Sequence, residues 1–172
     1  MFKKFLKIFY PKIYVDSIYD VPYKKFIKRG IKALVFDIDN TLIAFDMPEP
    51  DDNLIEFIAK LKEMGFAICL LSNNNETRVE IFNRKLQLPA ISKARKPGLS
   101  GLKKAMALTG AKNSQTALIG DQVFTDVWCG NRLSVTTVLV KPVVNRDEWT
   151  IRLKRSLEVI VIKMYLKGRQ KR

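Results

Sequence analysis

Four short stretches of this chain lack charge and do not alternate: Ala33-Leu34-Val35-Phe36, Phe66 to Leu71, Thr116 to Ile119 and Val135 to Val140. A strand with one wet face alternates apolar with polar residues. A strand without alternation is covered on both sides, the condition of a parallel sheet sandwiched between helices. The segments between the four stretches carry the helical period. From about Asn53 to Met64, Leu54, Phe57, Ile58 and Leu61 form one stripe, with Asp51 or Asp52 available as cap and Gly65 as stop. Further helices are predicted from about Glu76 to Leu86, Pro97 to Leu108 and Phe124 to Arg132, with a short strand at Ala90-Ile91-Ser92. Strands alternating with helices predict one α/β domain over residues 32–140, an ordinary single-domain size within 172 residues. Sites in such folds lie beyond the C-terminal ends of the strands.

Polar residues cluster at those ends. Asp37 and Asp39 follow the first strand, Ser72 and Asn73 the second, Lys96 comes shortly after the third, and Asp121 and Asp126 follow the fourth. The steps are 35 residues from Asp37 to Ser72, 24 to Lys96 and 25 to Asp121, one polar group per βα unit. Two carboxylates two apart, where the chain leaves a buried strand, can face a common point and hold a divalent cation. The chain contains no histidine, which excludes every scheme with an imidazole base or ligand and leaves acid–base work to carboxylates, lysine or water. Cys69 and Cys129 lie far apart in apolar or helical context with no CxxC spacing, so they read as reduced structural thiols.

Taken together, Asp37-Ile38-Asp39-Asn40-Thr41, Leu71-Ser72-Asn73, Lys96-Pro97 and Gly120-Asp121-Gln122-Val123-Phe124-Thr125-Asp126 resemble the four signature motifs of the haloacid dehalogenase (HAD) superfamily of phosphatases. The resemblance implies a HAD-like Rossmannoid fold. It also implies that Asp37 is the nucleophile that forms an aspartyl-phosphate and Asp39 the general acid and base. Mg2+ is expected on Asp37, the carbonyl of Asp39 and Asp121, with Asp126 orienting the metal's surroundings. Thr41, Ser72, Asn73 and Lys96 are expected around the phosphoryl oxygens. The short gaps after the first and second motifs leave no room for a cap domain, only a helix and a flap. An open site suits a phosphate presented on something large.

Charge adds a second constraint. The net charge is +14, yet residues 33–140 carry 12 basic and 12 acidic side chains. Residues 1–32 hold nine Lys/Arg against Asp16 and Asp20, and residues 141–172 hold ten against Asp147, Glu148 and Glu158. A neutral catalytic domain therefore lies between a basic N-terminal flank, 1–31, and a basic C-terminal flank, 141–172. Phe2, Phe5, Leu6, Phe9 and Tyr10 predict a short amphipathic helix ended by Pro11, after which the flank reads as irregular up to Gly30. Trp149, Leu153, Leu157, Ile160 or Val161, and Met164 suit a helix over 148–167, although Val159 to Ile162 also suits a strand. No stretch is long and apolar enough to span a bilayer. Basic, aromatic flanks of this kind are expected to dock on anionic lipid, with RNA the less favoured partner; the alternative is that their aromatics pack on or beside the domain while the lysines turn to solvent.

The finer pattern, Phe36 to Leu42 with Ser72-Asn73-Asn74 and Ala94 to Gly98, resembles the bacterial YqeG family, which is similar to the mitochondrial phosphatidylglycerophosphate phosphatases. The resemblance implies removal of the terminal phosphate of phosphatidylglycerophosphate by a cytoplasmic protein peripheral to the membrane. Two other readings stay open: a phosphatase for soluble esters, phosphoproteins or nucleic-acid ends, and a non-catalytic RNA- or ribosome-associated module.

Overall fold

The computed structural model describes residues 6–144 and 149–169, without the side chains of 149–155 and 169. Six parallel strands form one sheet: β1 (Ile13–Val15), β2 (Ala33–Phe36), β3 (Ala67–Leu71), β4 (Ala90–Ile91), β5 (Thr116–Gly120) and β6 (Thr136–Val140). Their order is β1-β6-β5-β2-β3-β4, every neighbouring pair parallel. Helices α1 (Tyr23–Lys28), α2 (Asp52–Glu63), α3 (Glu76–Asn83), α4 (Ser100–Thr109), α5 (Trp128–Arg132) and α6 (Trp149–Arg169) supply the crossovers and the C-terminal end.

Lack of alternation in β2 has the predicted consequence, since all four of its residues are fully buried. Leu34 and Phe36 join Ile68, Leu70 and Ile119 against Phe26 of α1, Leu54 and Ile58 of α2 and Phe82 of α3. Val35 points the other way, with Cys69, Leu71 and Leu118, onto Leu102 and Ala105 of α4 and Cys129 of α5. Each Val, Leu, Ile or Phe side chain among these contributes about 1.5–3 kcal/mol on burial. The chain runs outward from β2 through β3 to β4, then returns to place β5 on the other side of β2. The strand order therefore reverses between β2 and β5. A crevice opens at such a point, and the C-terminal ends of these two strands deliver Asp37 and Asp121 to it.

Asp51 caps α2 by accepting the N–H of Leu54 at 2.8 Å, as its position predicts. Elsewhere the structure adds to the sequence reading. Within the N-terminal flank, Ile13–Val15 is the edge strand of the sheet, with Ile13 opposite Val138. Three half-exposed residues are too few to show a period. The basic cluster that follows is α1, which buries Phe26 and turns Lys24, Lys25 and Lys28 outward. The helix predicted to begin at Pro97 begins at Ser100.

The two flanks meet on one side of the molecule. Of the predicted N-terminal helix, Phe2 and Phe5 lie outside the described residues, while Leu6–Phe9 is a single 3-10 turn. The Phe9 ring packs edge-on to Phe124 and tilted on Trp128, both at 5.3 Å, in a cluster completed by Val123, Val127, Leu139 and Val161. In α6 the run Val159 to Ile162 is helical, with Val161 buried and Val159 and Ile160 exposed. No helix among the described residues is long and apolar enough to cross a membrane.

Candidate active site

Asp37 is the first residue beyond β2, and its N–H donates to the carbonyl of Ile119 in β5 at 2.9 Å. The chain then coils tightly. The carbonyl of Ile38 accepts N–H groups from Thr41, Leu42 and Ile43, and Asn40 takes a left-handed conformation, φ 60°, that asparagine tolerates better than most residues. This coil folds Thr41 back under Asp37, where its hydroxyl lies 3.4 Å from Asp37 Oδ2 and 3.4 Å from Asp121 Oδ1.

Asp121 follows β5, and Asp126 returns to it through a wide π-type turn, Val123–Val127. Both the Asp126 and Val127 N–H groups reach the carbonyl of Gln122. Asp126 approaches the backbone so closely that any Cβ on Gly120 would overlap its carboxylate. Lys96 Nζ sits between two of these acids, 2.6 Å from Asp37 Oδ1 and 2.7 Å from Asp126 Oδ1, with its side chain 2% exposed.

Oxygens of Asp37, Asp121 and Asp126 lie within 4.8 Å of one another, all buried. Burial pushes the Asp37 carboxyl up to about 8; Lys96 pulls against this, and Asp126 and Asp121 add to it. Burial also disfavours the Lys96 ammonium, but Asp126 and Asp37 outweigh it and hold the amine above its ordinary value. Three carboxylates thus face one ammonium, so with all ionised these four groups carry a net charge of −2 in a buried place, which a single divalent cation would balance. Oxygen-only donors at this spacing fit a hard cation such as Mg2+.

The remaining expected residues divide by role. Ser72, buried at the end of β3, accepts the N–H of Asn74 at 3.0 Å and lines the cleft. Asn73, expected to bind phosphate, has its side chain committed elsewhere: Oδ1 accepts the Lys96 N–H at 2.6 Å and Nδ2 donates to the Lys96 carbonyl at 3.1 Å. Its side chain clamps Lys96 in place. Asp126 belongs to the carboxylate cluster, whereas the side chain of Asp39 stands outside it. Asp39 Oδ1 accepts from Arg78 Nε at 3.2 Å and Nη2 at 2.9 Å, and Oδ2 accepts from Asn74 at 3.4 Å.

Arg78 is the main residue that sequence reasoning missed. The signal was present, since an arginine in the first turn of a helix opposes the helix dipole and needs a local reason. Gln122 and Thr125 complete the wall of an open cleft of about 330 Å³ over Asp37, Asp39, Ser72 and Lys96. Cys69 and Cys129 are free and buried, and burial pushes their thiols up to about 12 and about 11, so neither is a nucleophile here.

A buried aspartate, a lysine held on it, the Thr41 hydroxyl beside it and a carboxylate cluster that fits a cation, at the reversal point of a parallel sheet, suit phosphoryl transfer. Comparisons with known proteins agree. The sequence profile of the family described as mitochondrial PGP phosphatase matches residues 3–145. The chain is 39% identical over 158 residues to "Probable phosphatase YqeG" of Bacillus subtilis (strain 168), covering 92% of this chain and 90% of that protein. It is 25% identical over 167 residues to "Phosphatidylglycerophosphate phosphatase 1, chloroplastic/mitochondrial" of Arabidopsis thaliana, covering 91% of this chain and 48% of that protein. The crystal structure of a HAD phosphatase from Thermococcus onnurineus shares the fold, with a TM-score of 0.52 and 13% identity over 69% of this chain and 90% of the other. The chain belongs to the mitochondrial PGP phosphatase family, is a phosphatase, and has the fold of the HAD phosphatases.

Proposed function

We propose that the chain removes the terminal phosphate of phosphatidylglycerophosphate at an anionic membrane surface, with Asp37 as nucleophile and Mg2+ as cofactor. The observation that carries this reading is the buried Asp37–Lys96–Asp126 arrangement at the mouth of an open cleft, in a chain related to phosphatases named for that lipid.

In the first step a carboxylate oxygen of Asp37 attacks phosphorus, the bond to the alcohol oxygen breaks, and Asp39 gives that oxygen its proton. In the second, water attacks the aspartyl-phosphate and passes a proton back to Asp39, and the bond to Asp37 breaks to release phosphate. Lys96 stabilises charge on the phosphoryl oxygens, and Asn73 keeps it in register. Thr41 and Ser72 offer hydroxyls at the same place. Asp37, Asp121 and Asp126 would hold Mg2+, which supplies charge neutralisation between the anionic ester and the carboxylates.

The open cleft favours a phosphate standing on a surface over a small enclosed ester. The outer face of α6 supports lipid as that surface: Leu157, Ile160 and Met164, at i, i+3 and i+7, are 55%, 55% and 37% exposed, and Lys163 and Lys167 are also exposed.

The deciding measurement is Mg2+-dependent phosphate release from phosphatidylglycerophosphate in vesicles, a soluble chromogenic ester and a 5′-phosphorylated oligonucleotide. The lipid is expected to be the preferred substrate, and Asp37→Asn to lose at least about 1000-fold in rate, as expected when a nucleophile is removed. An untouched lipid beside turnover of another substrate overturns the substrate assignment. Full activity in Asp37→Asn overturns the mechanism.

A further inference from the structure

Arg78 has no part in the two displacement steps, yet it is held firmly against Asp39, a residue that lines the cleft. Its guanidinium spends two N–H groups on Asp39 and a third on the carbonyl of Pro48 at 2.8 Å, and the Phe82 ring backs it at 5.8 Å. Asp39 lines the cleft and Arg78 stands behind it, the Arg78 and Asp39 side chains 14% and 23% exposed. Guanidinium has five N–H donors, so two are left for a ligand.

Its position relative to the reaction follows from its partner. Asp39 must reach the oxygen that leaves, so Arg78, bonded to Asp39, lies beside the leaving group. The other charges of the site are already assigned: Lys96 is taken up between Asp37 and Asp126, and Asp37 itself belongs to the carboxylate cluster. A leaving group that is itself anionic would meet the negative field of Asp39 and the cluster unless a cation stood at that spot. A planar fork with two donors to spare is the group that recognises a phosphate there.

We propose that Arg78 binds a second, non-reacting phosphate carried on the leaving group, a phosphodiester one short polyol away from the bond that breaks. It thereby selects substrates with two phosphates over simple monoesters. The proposal rests on Asp37 and Asp39 acting as described above, and it deepens that reading by naming what the site recognises.

The test is steady-state kinetics with Mg2+ on three probes: the water-soluble deacylated headgroup glycerophosphoglycerol phosphate, glycerol 3-phosphate, and phosphatidylglycerophosphate in detergent micelles. Wild type, Arg78→Gln and Arg78→Lys are compared, with thermal unfolding recorded for each. Because Arg78 also steadies Asp39, kcat falls by a shared factor on all probes. KM rises by about 10–100-fold on the two-phosphate probes alone, the loss of a charged hydrogen bond, and less in Arg78→Lys, which keeps a point charge without the fork. A KM that shifts equally on glycerol 3-phosphate, or not at all, overturns the proposal and reduces Arg78 to a positioning residue for Asp39. Wild-type preference for glycerol 3-phosphate over the soluble two-phosphate probe overturns it too. Failure of the lipid assignment looks different: the micellar lipid is ignored while the soluble two-phosphate probe still reports on Arg78. Should Arg78→Gln not fold, Arg78→Lys decides on the same KM contrast.

Discussion

Asp37 is held where a carboxylate is least comfortable, and this makes the stability of the metal-free protein depend on pH. An acid whose pKa rises on folding binds its proton more tightly in the native state, so ionising it there costs more than in the unfolded chain. Burial raises Asp37 to about 8 from an ordinary carboxylate value of 3.8, so native stability falls as the pH climbs through that window. The metal-free protein is expected to melt at lower temperature at pH 8 than at pH 6, by roughly 2–4 °C per kcal/mol of penalty. Mg2+ should raise the melting temperature more at pH 8, and Asp37→Asn should flatten the slope. Differential scanning calorimetry with and without a chelator checks this; identical melting at both pH values in the chelated wild type would remove burial of Asp37 as the cause.

Among the elements, the π-type turn after β5 governs the centre, because it curls Asp126 back over Gly120 toward Lys96. Gly120→Ala must push that carboxylate away. It is expected to lower Mg2+ affinity or turnover by about 10–100-fold, as loss of support around a metal site does, and Mg2+ titration of phosphate release measures it. A fully active Gly120→Ala would show that Asp126 can be displaced without consequence. The site was legible in the sequence wherever a residue owes its place to the end of a buried strand: Asp37 after β2, Ser72 after β3, Asp121 after β5. Strands β2, β3, β5 and β6 were legible for a related reason, being covered on both faces and so free of alternation. What stayed hidden depends on contacts between elements. The grip of Asn73 on Lys96 spans 23 residues, and that of Arg78 on Asp39 spans 39. Strand β1 hid because an edge strand of three residues carries too little pattern.

At the scale of the whole molecule, the two basic flanks converge on the side of the domain next to the site. Tyr10 packs edge-on against Tyr165 at 5.7 Å, and buried Glu158 of α6 accepts the N–H of Phe124 at 3.1 Å, inside the turn between Asp121 and Asp126. The inner face of α6 is thus tied to the segment that carries Asp121 and Asp126, while Leu157, Ile160 and Met164 face outward. Replacing those three by serine is expected to weaken co-sedimentation with anionic vesicles by at least about 10-fold at low salt, since apolar burial adds to roughly 1 kcal/mol per basic residue. Hydrolysis of a soluble ester should be spared. Undiminished vesicle binding would remove this face from the docking surface.

Pairing of Ile13 with Val138 has a consequence for how the protein is made. Strand β1 has no neighbour until β6 has been synthesised, some 125 residues later by the span of the Lys12–Thr137 bond. Closing so long a loop is slow, and until then the edge of β6's place in the sheet is open and the aromatic cluster around Phe9 lacks its floor. The N-terminal strand can therefore pair only after β6 exists, whereas β2, β3 and β5, whose ends carry the site, can pair with one another before it.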